Sequence, residues 1–256
     1  MPKYYEGLIS KLIKSPMSEN EFETYLAHLG GLFSDVEIEL ELIKESGIPL
    51  LFSHDKVYFR PMLTSIKDEC FCIVDIETNG HNPYVHQPIE IGAIKYQNEK
   101  VIDTFQSLIY AENIPEFITK ITNITQEMLK NAPRIHQVLE SFKIFLGDSI
   151  FVAHNVDFDF NFLSEAYNNL GFGRLYNPEI CTIKLAKKTI PSPKYSLSFL
   201  NENLKLGYEN LHRALRDCEV ALEIFKISLK NLDKNIYSSY DLLKFLQTQK
   251  GRKNEL

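Results

Sequence analysis

Residues 71–80 read FCIVDIETNG, from Phe71 to Gly80. Apolar or β-prone residues run from Phe71 to Ile76, interrupted by Asp75, and Glu77 follows two residues after that Asp. Residues i and i+2 of a strand share a face. Asp75 and Glu77 therefore project side by side from the end of an otherwise buried strand. Two carboxylates held that close repel each other and are costly to desolvate. Two readings are open. A divalent cation neutralises the pair, or the strand simply runs out into a polar turn at Thr78-Asn79-Gly80.

The 256 residues suffice for one large or two modest domains. With 44% apolar and 24% charged residues, the composition is that of a soluble globular protein. A net charge of −6 excludes a global basic field and argues against tight nonspecific duplex binding. It leaves room for a small groove in which metal ions carry the positive charge. Cys70, Cys72, Cys181 and Cys218 are too few and too scattered for a disulfide framework. Cys70 and Cys72 have no second ligand pair nearby for zinc, so a reducing cytoplasm is the expected compartment. No apolar run reaches membrane-spanning length, so no membrane association is expected. MPKYYEGLISKLIKSP lacks the apolar core of a signal peptide and reads as a short amphipathic helix.

Residues 1 to 66 form a helical or winged-helix-like unit by pattern. Ser18 and Glu21 have capping-box spacing and open a helix through EFETYLAHLG, ended by Gly30-Gly31. Ser34 or Asp35 caps a second helix, VEIELELIKES, stopped by Gly47 and Pro49. IPLLF and KVYFR form a hairpin around Ser53-His54-Asp55. The second helix is acidic, which favours a protein contact or packing role over reading DNA. Pro61 to Asp68 is the expected linker. From Phe71 strands come first: FCIVDI, IEIGAIKYQ and VIDTFQSLI, the last two joined by a tight turn at Asn98-Glu99. Helices are expected at ITQEMLKN and IHQVLESFKIFLG, then a strand SIFVAH, then helices at FDFNFLSEAYNNLGF, CTIKLAKKT and SLSFLNENLKLG. The longest helix spans about 215 to 232, with Leu215, Cys218, Leu222, Phe225 and Leu229 as one stripe. This is an α/β order with a mixed sheet. Residues 236–256 form a C-terminal helix and charged tail.

Three further groups carry candidate chemistry. In VAHNVDFDFNFL, residues 152–163, a strand ends at His154, and Asn155 can bond its own backbone in the turn. Asp157 and Asp159 then flank a helix start. Either could cap the helix, but two Asp compete for one task. In HRALRD, His212 to Asp217, mid-helix residues five apart would stand about 140° apart. They converge only if His212 precedes the helix and Asp217 lies in its second turn. Otherwise His212 is a surface residue and Asp217 a partner for Arg213 or Arg216. ETNGHNP, residues 77–83, forms the loop at the carboxyl end of the first strand, where α/β sheets bind ligands.

In order and spacing, DxE, HNxxFDxxFL and HxxxxD resemble the DnaQ-like 3′-5′ exonucleases of the DEDDh class. IEIGAI resembles that family's second strand. ITNITQEML resembles its IxGITxxML segment, with Asn123 where Gly is usual. The resemblance covers about residues 70 to 230. Within the family the pattern most resembles the proofreading (epsilon) subunit or domain of bacterial replicative DNA polymerases. It implies a ribonuclease H-like mixed five-stranded sheet flanked by helices over residues 67–235. It also implies that Asp75, Glu77, Asp159 and Asp217 bind two divalent ions, Mg²⁺ or Mn²⁺, with His212 as general base. Asp159 follows Phe158 as in the family's FD, so capping is left to Asp157. Thr78, Asn79, Gly80, His81, His154 and Asn155 are the implied substrate contacts, His81 departing from the usual Leu or Met. The expected substrate is a single-stranded or frayed 3′ end of DNA, and a polymerase catalytic subunit is an expected partner. An RNA or oligonucleotide exonuclease shares the chemistry. A noncatalytic docking subunit would not need these five residues. The tail shows no Gln-x-x-Leu-x-Phe clamp peptide.

Overall fold

The computed structural model describes residues 2–29 and 35–247. The expected stop at Gly30-Gly31, the alternative cap Ser34 and the end of the charged tail lie outside them.

The central sheet begins with strand β4 (Phe71–Thr78), followed by β5 (Pro88–Gln97) and β6 (Lys100–Leu108). β5 lies between the other two and pairs antiparallel with both. Asn98 and Glu99 turn the second hairpin at φ 53° and 61°, the left-handed pair that a two-residue turn needs. β7 (Ile150–Ala153) adds parallel to β4, and β8 (Glu179–Cys181) adds parallel to β7. The strand order is β6-β5-β4-β7-β8, the mixed five-stranded sheet expected. β8 has only three residues, too short to show a period. It was not separable in the sequence from the helix α8 (Thr182–Thr189) that follows it directly.

Alternation along β4 distributes the core. Cys72, Val74 and Ile76 pack with Val138, Leu139 and Phe142 of α6 (Ile135–Leu146) and Leu163 of α7 (Val156–Asn169). Phe71 and Ile73 pack with Cys218, Leu222 and Phe225 of α10 (Ala214–Lys230). Asp75 and Glu77 continue the second set, so the α10 face turns from apolar to acidic at the strand's carboxyl end. Two short helices not expected in full lie between β6 and α6: α4 (Glu116–Thr122) and α5 (Gln126–Lys130). α9 (Leu197–Asn203) precedes α10.

The N-terminal residues build a second layer around their own core. α1 (Pro2–Lys14), β1 (Met17–Ser18), α2 (Glu19–Leu29), α3 (Val36–Glu45), β2 (Leu50–Ser53) and β3 (Lys56–Phe59) follow in winged-helix order. Leu8, Leu12, Phe22, Leu26, Ile43 and Val57 are buried together there. The capping box forms: Ser18 N–H donates to Glu21 at 2.8 Å and Glu21 N–H donates to Ser18 Oγ at 3.2 Å. Asp35 accepts from Glu37 N–H at 2.9 Å and caps α3.

The expected linker, residues 61–68, is tied to neighbouring segments. Arg60 donates to buried Glu69 and to the Asp148 carbonyl, both at 2.9 Å. Ser239 Oγ donates to Glu69 at 2.9 Å, and Ile66 N–H donates to the Tyr237 carbonyl at 3.0 Å. A buried carboxylate has to be compensated, and here its partners come from both sides of the segment. The final helix, α11 (Ser239–Gln247), is held by the same contacts, with Leu242 buried in the α10-side core. Among the described residues no helix is long and apolar enough to cross a membrane.

Candidate active site

Asp75 stands opposite Gly92 and Glu77 opposite Glu90 in the β4–β5 ladder, with a register shift after Glu77. Gly92 sets the depth of the site. A Cβ there would lie 2.3 Å from the Leu215 nitrogen and 2.4 Å from the Ala214 carbonyl carbon. The first turn of α10 therefore rests on the bare backbone of β5, and Cys218 Sγ donates to the Gly92 carbonyl at 3.2 Å. That approach delivers Asp217. Asp75, Glu77 and Asp217 each offer a carboxylate oxygen, all within 4.8 Å of one another. Asp159 arrives from the first turn of α7, is 4% exposed, and accepts from Ile76 N–H at 3.3 Å. It is thus bonded to the residue between the two strand carboxylates.

His212 is exposed and left-handed at φ 70°, one residue before the α10 N-cap Arg213. Its backbone N–H donates to both Asp217 oxygens at 3.3 Å. Of the two arrangements open in the sequence, His212 takes the one outside the helix. Asp217 falls in the first turn of α10 rather than the second.

All four carboxylates have pKa values raised above the ordinary range. Burial, then repulsion from Asp159, Asp217, Glu77 and Glu90, raises Asp75. Burial and the Asp217 charge push Glu77 up to about 8. Burial pushes Asp159 up to about 8 against the opposing Ile76 N–H, and burial raises Asp217 against the His212 N–H. Crowded oxygen-only donors of this kind fit hard divalent cations, which remove the repulsion. A pH dependence follows. With Glu77 and Asp159 at about 8 when folded and near 4 when unfolded, the metal-free folded chain binds more protons across that window. Its stability therefore falls as pH rises from about 4 to about 8. Melting in EDTA should show Tm dropping across that range. Mg²⁺ should raise Tm more at pH 8.5 than at pH 6.

The remaining candidates surround this cluster. Thr78 is buried, and its hydroxyl donates to the Gly80 carbonyl at 2.7 Å. Asn79 and Gln87 close the loop: Asn79 N–H donates to the Gln87 carbonyl at 3.1 Å, and Gln87 N–H to Asn79 Oδ1 at 2.8 Å. Gly80 faces the His86 ring, which a Cβ would meet at 2.2 Å. His81 is exposed on that loop. Asn155 is exposed and left-handed at φ 87° as the α7 N-cap. Both ring nitrogens of His154, the other implied substrate contact, face protein partners. Its Nδ1 lies 2.8 Å from Thr182 Oγ1 and its Nε2 2.9 Å from the Tyr195 carbonyl. Burial pushes its pKa down to about 4, so the ring is neutral. Nε2 carries the proton, because a carbonyl only accepts. The ring braces β7, α8 and the loop before α9. Asp157 does not cap α7; it pairs with Lys184 at 3.2 Å.

Two residues beside the carboxylates lie outside the set of site residues that the resemblance implies. Glu90 is 0% exposed, and Arg213 Nη2 meets it at 2.7 Å. The signal for Glu90 was a lone charge inside the apolar strand IEIGAI.

The five-stranded sheet with this acidic cluster beside β4 fits a metal-dependent nuclease, a hydrolase of phosphodiester bonds. Residues 72–225 match the exonuclease (RNase_T) family, and the chain belongs to that family, the DnaQ-like exonucleases. The PolC-type DNA polymerase III of Staphylococcus epidermidis is 35% identical over 187 residues, 72% of this chain and 12% of that protein. The Staphylococcus aureus protein of that name matches to the same extent. The chain thus spans a small fraction of the length of these relatives. Exonuclease X, solved in complex with 5′ overhanging duplex DNA, has a TM-score of 0.52 at 26% identity, covering 67% of this chain and 99% of that one. Escherichia coli Exonuclease I with a dA16 oligonucleotide has a TM-score of 0.60 at 18% identity, covering 71% of this chain and 43% of that one. This last likeness is one of fold.

Proposed function

We propose that this chain removes nucleotides one at a time from the 3′ end of DNA and serves as the proofreading exonuclease of a replicative DNA polymerase. The observation that carries the reading is the convergence of Asp75, Glu77 and Asp217 within 4.8 Å, with Asp159 bonded between the strand pair. These four side chains would hold two Mg²⁺ or Mn²⁺ ions, which supply activation of the attacking water and neutralisation of the leaving 3′ oxygen. His212, exposed at the rim and tied to Asp217 through its backbone, accepts the proton of that water. The loop of Thr78, Asn79, Gly80 and His81 borders the terminal nucleotide, held in shape by the Asn79–Gln87 pair. Asn155 stands exposed at the start of α7. His154 acts from behind by fixing the surrounding loops.

Replacing His212 with Ala should lower kcat about 10²–10⁴-fold and leave KM nearly unchanged. Steady-state kinetics on single-stranded DNA checks this.

A mismatched end frays at less cost than a paired one. Error selectivity can therefore reside in the substrate. The test compares single-stranded, mispaired and paired primers with an RNA of the same sequence. The proposal expects the rate order single-stranded, mispaired, paired, with RNA slowest. Preference for RNA would move the assignment to an RNA exonuclease.

Residues 67–235 are assigned as the exonuclease body, residues 1–66 as a partner-contact unit and residues 236–256 as a C-terminal helix and tail. α3 supports the contact role. It carries Glu37, Glu39 and Glu41, with Ile38 59% and Leu42 52% exposed. Such a surface repels phosphate and suits a protein partner, of which a polymerase subunit fits the PolC-type relatives.

A further inference from the structure

We propose that Glu90 and Arg213 form a positioning clamp that sets His212 and Asp217 over the strand carboxylates. The clamp rests on the reading of Asp75, Glu77, Asp159, Asp217 and His212 as the catalytic set.

Glu90 lies on β5 opposite Glu77, fully buried, where a lone carboxylate is strongly disfavoured. Its two oxygens are consumed by four donors. Arg213 donates from Nη2 to Oε1 at 2.7 Å and from Nε to Oε2 at 3.1 Å. Ala214 N–H donates to Oε2 at 3.1 Å, and Gln106 Nε2 to Oε1 at 3.1 Å. Both Glu90 oxygens are therefore engaged by protein donors, while its charge adds to the repulsion within the acidic cluster.

The position of these donors gives the clamp its function. Ala214 is the first residue of α10 and Arg213 its N-cap. Glu90 thus takes a free amide at the positive end of the helix while gripping the residue before it. His212 immediately precedes the gripped pair, and Asp217 lies three residues beyond it. Arg213 has no side-chain capping bond within its own helix. The start of α10 is fixed from the sheet. Gly92, two residues along β5, lets the helix approach that closely.

A guanidinium reaches a carboxylate with two parallel donors; an ammonium does so as a single point. Arg213→Lys keeps the charge and loses the fork. Its kcat on single-stranded DNA should fall about 10–100-fold, with Mn²⁺ affinity by calorimetry weakened to a similar degree. KM should move much less. Glu90→Gln should act in the same direction. Arg60→Lys serves as the stability control, because Arg60 bridges the carboxylates of Glu69 and Asp148 at the N-terminal junction, away from the acidic cluster. It should lower Tm and leave kcat unchanged below the melt. Wild-type kcat and Mn²⁺ affinity in Arg213→Lys, or losses matched by Arg60→Lys, would overturn the clamp. Asp75→Ala, assayed alongside, separates the two ideas. An inactive Asp75→Ala with a fully active Arg213→Lys removes the clamp alone. An active Asp75→Ala removes the site assignment and the clamp with it.

Discussion

Asp75→Ala lowers kcat for DNA cleavage by about 10³-fold or more, while the metal-free variant melts no lower than the wild type. The two halves of this expectation have one cause. Burial, together with the charges of Asp159, Asp217, Glu77 and Glu90, raises the Asp75 pKa well above the ordinary carboxylate range. In the absence of cations the carboxylate is a liability to the fold, and its removal relieves repulsion. With cations bound, the same crowding becomes a binding site, and losing one donor removes several kcal/mol of charge stabilisation in the transition state. A variant that loses activity by unfolding would show a lower Tm in EDTA. Calorimetry or circular dichroism in EDTA, set beside kcat in Mg²⁺, distinguishes the two.

Gly92→Ala is the second large effect, and it acts through geometry alone. The new Cβ would stand 2.3 Å from Leu215 N, 2.4 Å from Ala214 C and 2.7 Å from Leu215 Cα. All three are backbone atoms, so no rotamer change relieves the contact. α10 has to move away from β5, taking Asp217 and the His212 turn with it. Overpacking of this kind costs about 1–3 kcal/mol of stability. Displacing reacting groups by about 1 Å costs on the order of 10²-fold in rate. Denaturant melts should show the first loss and steady-state kinetics the second. Wild-type kcat in this variant would mean that the placement of α10 does not set the site.

The strand carboxylates were legible because their signal is local. Two acids spaced by two on an apolar strand state their own face. Asp159 was separable from Asp157 only through the FD match, and the structure gives the two different surroundings: Asp159 bonded to Ile76, Asp157 paired with Lys184. The relation between His212 and Asp217 stayed open because helical phase depends on where the helix begins. The left-handed backbone at His212 decides that, and a non-glycine residue carries little sequence signal for such a turn. The Glu90–Arg213 pair joins residues 123 apart, a distance over which no periodicity operates. The neutral brace at His154 is hidden for the same reason, since its partners come from the start of α8 and the loop before α9. β8 and β1, with three and two residues, owe their strand character to their neighbours.

The most direct measurement is digestion of 5′-labelled single-stranded DNA by the purified chain, with Mg²⁺ and with EDTA. The account predicts a ladder of labelled products shortening stepwise from the 3′ end in Mg²⁺ and full-length DNA in EDTA. Release of the 5′ label as a mononucleotide, or an unchanged ladder in EDTA, would contradict it.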